Sequence, residues 1–114
     1  MRRYGKYNAI KTVIDGIEFD SRLEAQRWCE LRLLEKGGVI NNLQRQVVFE
    51  LQPGFKKNGV TYRPIKYIAD FVYEENGQTV VEDTKGCLTD EYRLKKKLFE
   101  YRYRNLTIKE VKRR

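Results

Sequence analysis

The sequence predicts an α/β protein of the α+β type, in which a helix, three strands, a second helix and a last strand follow one another (αβββαβ). Apolar residues recur at helical spacing in segments 21–36 and 89–103. Runs rich in β-branched and aromatic residues predict four strands, at 43–52, 65–74, 79–85 and 106–111. Asn76-Gly77, between the second and third strands, is a typical signal for a two-residue hairpin turn.

Length and composition indicate one domain with a nucleic-acid partner. A chain of 114 residues can bury a core of its own, and no repeat or linker divides it. The formal net charge is +8 and 12% of residues are aromatic, a combination typical of nucleic-acid-binding proteins. The alternative is that the positive charge forms only a solvated cationic face, as in any small basic protein. No apolar run could span a membrane and no signal peptide is evident, so we expect a cytoplasmic protein without a membrane partner.

The absence of histidine restricts the possible chemistry. It excludes nucleases that depend on a histidine and a metal, Ser/His and Cys/His nucleophiles, and two-histidine cleavage of RNA. Cys29 and Cys87 lack a paired metal-ligand spacing, so two reduced thiols are expected. Any catalysis must therefore use carboxylates, lysine and a metal ion.

The first part of the chain leads into the first helix. Residues 1–9 are basic and aromatic without periodicity, which predicts a flexible arm. Asp15-Gly16 lies inside 11–19 and predicts an accessory hairpin. Asp20-Ser21 precedes the helical pattern and Gly37-Gly38 ends it, so the helix should cover 21–36.

Two polar residues of this half have alternative interpretations. Glu24 stands three residues after Ser21, where it would complete a capping box, and this spacing alone favours the cap. It also lies on the same helix face as Trp28 and Leu31, from which it could reach acids of the sheet. Gln46, on the first core strand, is either an ordinary strand residue or a group that holds water or phosphate near a site.

The central hairpin brings two acids together. A two-residue turn at Asn76-Gly77 makes the numbers of facing residues sum to 153, so Asp70 faces Asp83. Val72 then meets Val81 and Ile68 meets Lys85, which places Lys85 diagonal to Asp70. Like charges that face each other destabilise a sheet, and a divalent cation would compensate.

These residue types suit phosphodiester hydrolysis. A metal held by Asp70 and Asp83 would polarise phosphate, while Lys85 would orient water or stabilise developing charge. The alternative is a solvated face on which Lys85 neutralises the acids, although a carboxylate within the apolar run at 68–72 would be costly to bury unpaired. Strand alternation directs Glu82 to the opposite face, so it is not an expected ligand.

Basic residues are concentrated in two further segments. Residues 56–63 form a basic loop or short ribbon around Asn58-Gly59, and the helix at 89–103 is strongly cationic. Its expected apolar stripe is Leu94, Leu98 and Tyr101. We expect nucleic-acid phosphates to contact the cations of both segments: Lys56, Lys57, Arg63, Arg93, Lys95, Lys96, Lys97 and Arg102.

The element order and the motifs together resemble the PD-(D/E)XK nuclease superfamily. The matching positions are Glu24 on the first helix, Asp70 on the second strand and Asp83-Thr84-Lys85 on the third. The whole chain is also similar to a family of small phage and prophage proteins of that superfamily. The stretches that carry this similarity are 15–21, 67–71, 81–86 and 92–97.

The resemblance implies a restriction-endonuclease-like core, with a mixed central sheet flanked by helices, and a DNA endonuclease dependent on Mg²⁺ or Mn²⁺. Asp70, Asp83 and Glu24 would be metal ligands and Lys85 the catalytic lysine. Two departures are Ala69, in place of the usual proline, and Asp83, in place of the commoner Glu. The substrate would be DNA, branched if the protein acts like a Holliday-junction resolvase, and symmetric cutting would favour a homodimer. The competing hypotheses are a non-catalytic nucleic-acid-binding protein on the same fold and, third, an RNA-directed nuclease or a regulator of phage gene expression.

Overall fold

The computed structural model describes residues 11–84 and 88–112. Two helices lie in these ranges, α1 (Arg22–Lys36) and α2 (Asp90–Arg102). The strands are β1 (Thr12–Ile14), β2 (Ile17–Phe19), β3 (Asn41–Gln52), β4 (Phe55–Lys57), β5 (Val60–Tyr62), β6 (Ile65–Glu75), β7 (Gln78–Thr84) and β8 (Ile108–Val111). The predicted order αβββαβ is confirmed, with β3, β6, β7 and β8 as its strands. The arm predicted at 1–9 lies outside the described residues.

A four-stranded mixed sheet organises the fold, in the order β3-β6-β7-β8. Its first two pairs are antiparallel and the pair β7-β8 is parallel, as expected when a helix connects the two strands. One apolar cluster includes Leu31 of α1 together with Phe71 and Tyr73. A second includes residues of α2 together with Tyr67 and Ala69. The helices therefore bury different parts of the sheet.

Three tight hairpin turns set the strand registers. Their central residues all have the positive φ that a type I′ turn requires: Asp15 and Gly16, Asn58 and Gly59, Asn76 and Gly77. The first turn joins β1 to β2 and the second joins β4 to β5, which confirms the accessory hairpin and makes segment 56–63 a ribbon. The third gives β6 and β7 the predicted register, from Glu75 with Gln78 to Phe71 with Glu82.

Helix α1 begins where its sequence suggests, and an arginine that the sequence analysis did not single out anchors it to the sheet. The Ser21 hydroxyl accepts a hydrogen bond from the Glu24 N–H at 3.1 Å, which caps the first turn. Farther along, the Arg27 guanidinium donates two hydrogen bonds, of 2.8 and 2.7 Å, to the buried carboxylate of Glu82. Neither described helix is long and apolar enough to cross a membrane.

The predicted apolar stripe of α2 is wrong in two of its three positions. Leu94 and Tyr101 are largely exposed, while Tyr92 and Phe99 are buried. The ring of Phe99 makes edge contacts with Phe49 and Tyr67 of the sheet, at centroid distances of 5.0 and 5.4 Å. Aromatic rings bury more area than a leucine and gain from edge geometry, so the aromatic face of the helix turns inward.

Candidate functional site

At Asp70, strand β6 changes the face that it presents to the helices. Tyr67 and Ala69 belong to the cluster of α2, whereas Phe71 and Tyr73 belong to that of α1. All four have odd numbers, and regular alternation would place them on one face. Val72, which has an even number, packs with the cluster of α2 beside Ala69, so the alternation breaks between these two residues, around Asp70.

Strand β3 changes face at the neighbouring position. Leu43 packs with the cluster of α1, whereas Phe49 and Leu51 pack with that of α2. Between them Gln46 has a φ of 52°, a left-handed conformation that is rare for a non-glycine residue within a strand. Such backbone strain concentrates at functional sites.

The carboxylate of Asp70 is fixed where β6 and β7 end their pairing. The last backbone pair of this ladder is Phe71 with Glu82. Beyond it, Asp70 Oδ2 accepts two hydrogen bonds from Thr84, one from the backbone N–H and one from the hydroxyl, each of 2.8 Å. Both described bonds use Oδ2, so they hold the carboxylate in one orientation.

Glu24 brings a second carboxylate to Asp70 from α1. It is only 4% exposed, and its Oε2 accepts a hydrogen bond of 3.1 Å from Gln46 Nε2. Burial, followed by the charge of Asp70 and then that of Asp20, raises the pKa of Glu24 to about 7. Ser21 still caps the helix, so Glu24 serves the helix start with its N–H and the site with its carboxylate.

Among the described residues, Arg45 is the cation that forms an ion pair with Glu24. Its guanidinium nitrogen lies 4.0 Å from Glu24 Oε2, at the limit of an ion pair. The same guanidinium lies over the ring of Phe19, 4.6 Å from the centroid. This single distant partner lowers the pKa of Glu24 less than burial and Asp70 raise it.

Asp83 is placed deeper than Asp70. It is 2% exposed, and its Oδ2 accepts a hydrogen bond of 2.6 Å from the Tyr67 hydroxyl. Burial and the charge of Asp83 raise the pKa of Tyr67 above its usual range, so the tyrosine stays a donor. The direct pairing of Asp70 with Asp83 that the sequence predicts lies one step beyond the last ladder pair, and it stays a prediction.

Glu82 points away from Asp83, as alternation predicts. Its carboxylate is fully buried and is held by Arg27, by the hydroxyl of Tyr73 and, at 3.9 Å, by Lys109. Burial and this hydrogen bond raise the pKa of Tyr73 above its usual range. Glu82 thus serves to attach α1 to the sheet.

The donor set suits a hard cation, although the described residues do not form a complete cage. Mg²⁺ and Mn²⁺ prefer carboxylate oxygens, and Glu24 and Asp70 form a repelling pair that a cation would relieve. Within 11–84 and 88–112, no three or more Asp, Glu or Cys side chains are grouped to hold a metal. Lys85, the predicted catalytic lysine, and Cys87 lie outside the described residues. Cys29 is exposed and is a free thiol.

The predicted phosphate-binding cations fall into two groups. On α2, Arg93, Lys95 and Lys96 each form an ion pair, with Asp90, Glu91 and Glu110 at 3.1 to 3.2 Å. Lys97 and Arg102 of this helix are exposed. The cations at 56, 57 and 63, on or beside the β4–β5 ribbon, are also exposed.

Glu110 shows how the acids near α2 are neutralised. The Tyr92 hydroxyl and Lys96 both donate to Glu110 Oε2, at 2.9 and 3.1 Å. Burial is the largest single influence and by itself would raise the pKa of Glu110, but these two bonds and the charges of Lys96 and Lys112 together lower it. Lys96 therefore neutralises Glu110, and its contact with phosphate stays a prediction.

Sequence reasoning missed three residues that build the site. Thr84 fixes Asp70, Tyr67 holds Asp83, and Arg45 lies beside Glu24. Only Thr84 had a signal, since it lies inside the Asp83-Thr84-Lys85 triplet, but alternation assigned it to the other face. Gln46, by contrast, lies where the sequence had allowed it, in contact with Glu24.

Comparison with known proteins gives one match. No curated protein and no solved structure matches the chain significantly. Residues 4–114 match the family described as "Protein of unknown function (DUF1064)". This match covers nearly the whole chain, and the protein therefore belongs to the DUF1064 family.

Proposed function

We propose that this protein is a divalent-metal-dependent DNA endonuclease that hydrolyses phosphodiester bonds. The observation that carries the proposal is the burial of Glu24 within the repelling charge of Asp70, where β3 and β6 both change face. A fold has no structural need for two mutually repelling carboxylates at one point, and burial makes the repulsion more costly. Such sites are candidates for function.

Each residue of the site has a definite task in this proposal. Asp70, oriented by Thr84, and Glu24, oriented by Gln46, would hold Mg²⁺ or Mn²⁺. Asp83, which precedes Thr84 on β7, is the third ligand that the motif implies; in this structure its carboxylate is bonded to Tyr67 and, among the described residues, is not grouped with the other two acids. When bound, the metal polarises a phosphoryl oxygen and lowers the pKa of a water. Lys85 would stabilise negative charge that develops on the phosphate.

The surroundings supply the means to attract DNA. The net charge is +8, and exposed cations flank the sheet on the ribbon and on α2. Phosphate contacts of this kind give an affinity that falls steeply as salt increases. A phage or prophage enzyme that acts on branched DNA as a homodimer in the bacterial cytoplasm is the biological setting that we propose.

The test is cleavage of labelled four-way junction, flap, single-stranded and linear duplex DNA with Mg²⁺ or Mn²⁺, with EDTA as the control. We expect the wild type to cut at least one substrate and Asp70→Asn, Asp83→Ala and Lys85→Ala to lose that cutting. Glu18→Gln removes an exposed acid of the accessory hairpin and should cut normally. Cutting that persists in Asp70→Asn would refute the proposed site.

A non-catalytic nucleic-acid-binding protein is the second candidate. One observation favours it: the Asp83 carboxylate is 2% exposed and bonded to Tyr67, and the described residues group no three acids. Binding of DNA with no cutting of any substrate under either metal would decide for this alternative. Metal-dependent cutting would decide against it. A loss of that cutting in Tyr67→Phe would then show that the orientation of Asp83 serves catalysis, for which a pure binder has no use.

A further inference from the structure

The β4–β5 hairpin forms a ribbon that stands exposed beside the rest of the described chain. Every residue from Gln52 to Lys66 is exposed, although the strands pair regularly from Phe55 with Tyr62 to Lys57 with Val60. The rings of Phe55 and Tyr62 stack at a centroid distance of 4.7 Å, which stiffens the base of the ribbon. The tip is the small turn Asn58-Gly59.

This ribbon has a strong and available positive charge. Segment 52–66 contains no acidic residue. It contains four cations, which are Lys56, Lys57, Arg63 and Lys66. Among the described residues none of these four forms an ion pair, in contrast to the paired cations of α2. A polyanion is thus the complementary partner.

An open sheet face connects the ribbon to the acid pair. Beyond Gln46, Val48 faces Ile68 across the β3–β6 ladder, and the two side chains are 54% and 50% exposed. They lie on the side opposite the α2 cluster, beyond the part of the sheet that α1 covers. At about 3.3 Å per residue, the six steps from Gln46 to Gln52 put the start of the ribbon about 20 Å from the site.

The ribbon has the dimensions of a known DNA-binding element. Two paired strands lie about 4.8 Å apart, and a two-stranded ribbon fits the major groove of B-DNA, which is about 12 Å wide. Phe55 and Tyr62 stack on each other rather than standing apart to receive unpaired bases. The ribbon therefore suits duplex better than single-stranded DNA.

We propose that the β4–β5 ribbon enters the major groove of duplex DNA and holds the duplex across the open β3–β6 face. Glu24 and Asp70 would then lie beside the DNA backbone, about 20 Å from the start of the ribbon. This inference rests on the proposed function in that it takes DNA as the partner. It adds which form of DNA is bound and where.

The test measures binding apart from cleavage. Fluorescence anisotropy in EDTA compares a labelled 30-base-pair duplex with one of its strands. The double variant Lys56→Gln with Lys57→Gln should lose about tenfold or more of its affinity for the duplex. The slope of log affinity against log salt should become shallower by about 2, because about 0.9 is lost per phosphate contact. Lys11→Gln with Lys36→Gln removes the same charge from exposed positions elsewhere and should bind like the wild type.

A methylation footprint locates the ribbon. Dimethyl sulfate attacks guanine N7 in the major groove, so the wild type should protect guanines there and the ribbon variant should not. Any of four results would overturn the inference. Two concern the variants: equal guanine protection by the wild type and the ribbon variant, or equal affinity of the ribbon and control variants. The other two concern the DNA: tighter binding of the single strand, or no binding of the duplex. Ribbon-dependent binding without cleavage would sustain it while the nuclease fails. If the ribbon variant cleaves and binds DNA like the wild type, the nuclease proposal stands and the inference about the ribbon fails.

Discussion

Two buried glutamates, Glu82 and Glu24, show how differently one fold can treat the same side chain. Glu82 receives two bonds from Arg27, one from Tyr73 and a more distant contact from Lys109. Glu24 accepts one side-chain hydrogen bond, from Gln46, and a backbone contact from Asp20, and the one cation paired with it in the described residues is 4.0 Å away. Glu24 lies on α1 and contacts β3, whereas Glu82 lies on β7 and contacts α1, so both are buried between this helix and the same sheet.

The difference separates a structural carboxylate from a reactive one. A buried acid with a bidentate arginine is neutralised in place and ties two elements together. A buried acid beside a second acid is left with unfavourable energy that an added cation or proton would release.

The largest expected effect comes from removing the arginine that is paired with each glutamate, Arg27 for Glu82 and Arg45 for Glu24. Arg27→Met leaves the Glu82 charge buried beside weaker partners, and should lower the free energy of unfolding by about 3 to 5 kcal/mol. Arg45→Met removes a marginal ion pair and should cost about 1 kcal/mol or less. Urea unfolding at pH 7.5 measures both. Equal costs would mean that the two glutamates are held alike.

The next effect is the pH dependence caused by Glu24. Its pKa in the folded protein, about 7, exceeds the ordinary value of 4.5, so the folded state binds the proton more tightly than the unfolded state. Stability from this group is fully present below pH 4.5 and is lost as the pH rises through 7. We expect Glu24→Gln to gain about 2 to 3 kcal/mol over the wild type between pH 4 and pH 8.

The measurement is the difference in unfolding free energy between Glu24→Gln and the wild type at each pH. Gln retains an oxygen that can accept the Gln46 bond, so the substitution removes the charge and little else. Glu18→Gln, at an exposed position, controls for the general effect of one fewer acid. A difference that does not vary with pH would show that Glu24 is ionised at little cost.

The sequence predicted the fold because its signals are local. Asn76-Gly77 and the two similar turns fix the hairpin registers through a backbone conformation that Asn, Asp and Gly adopt readily. Ser21 and the double glycine mark the ends of α1. The prediction of the inward face of α2 was wrong because two stripes of residues, one leucine-rich and one aromatic, fit helical spacing equally well. Only the aromatic partners on the sheet decide between them.

The site was less predictable because it depends on a departure from regularity. Period-two alternation cannot anticipate that β3 and β6 both change face, at Gln46 and Asp70. The positive φ of Gln46 has no sequence signal, since glutamine is not a residue that favours it. The sequence could nominate Glu24, Asp70 and Gln46 by residue type, but tertiary packing decides that they meet and that Thr84 orients Asp70.

A smaller effect is expected from metal binding to the acid pair. At a Mg²⁺ concentration ten times its dissociation constant, binding to the folded state alone stabilises the wild type by about 1.4 kcal/mol. Asp70→Asn removes one charge and one ligand and should not respond. Thermal unfolding at pH 8, with and without Mg²⁺, measures this. A Glu82→Gln variant that still responds would confirm that Glu82 takes no part, and an equal response in Asp70→Asn would place the metal elsewhere.

The smallest expected effect tests how Asp70 is oriented. Thr84→Val retains the shape of the side chain and the backbone N–H bond but removes the hydroxyl donor at 2.8 Å. One lost hydrogen bond to a carboxylate should cost about 1 kcal/mol of unfolding free energy, and Thr84→Ser should restore most of it. Cleavage by Thr84→Val should be reduced but not abolished, because the remaining N–H still directs the carboxylate. If Val and Ser behave alike, the hydroxyl does not hold Asp70, and the backbone of β7 alone sets the geometry of the acid pair.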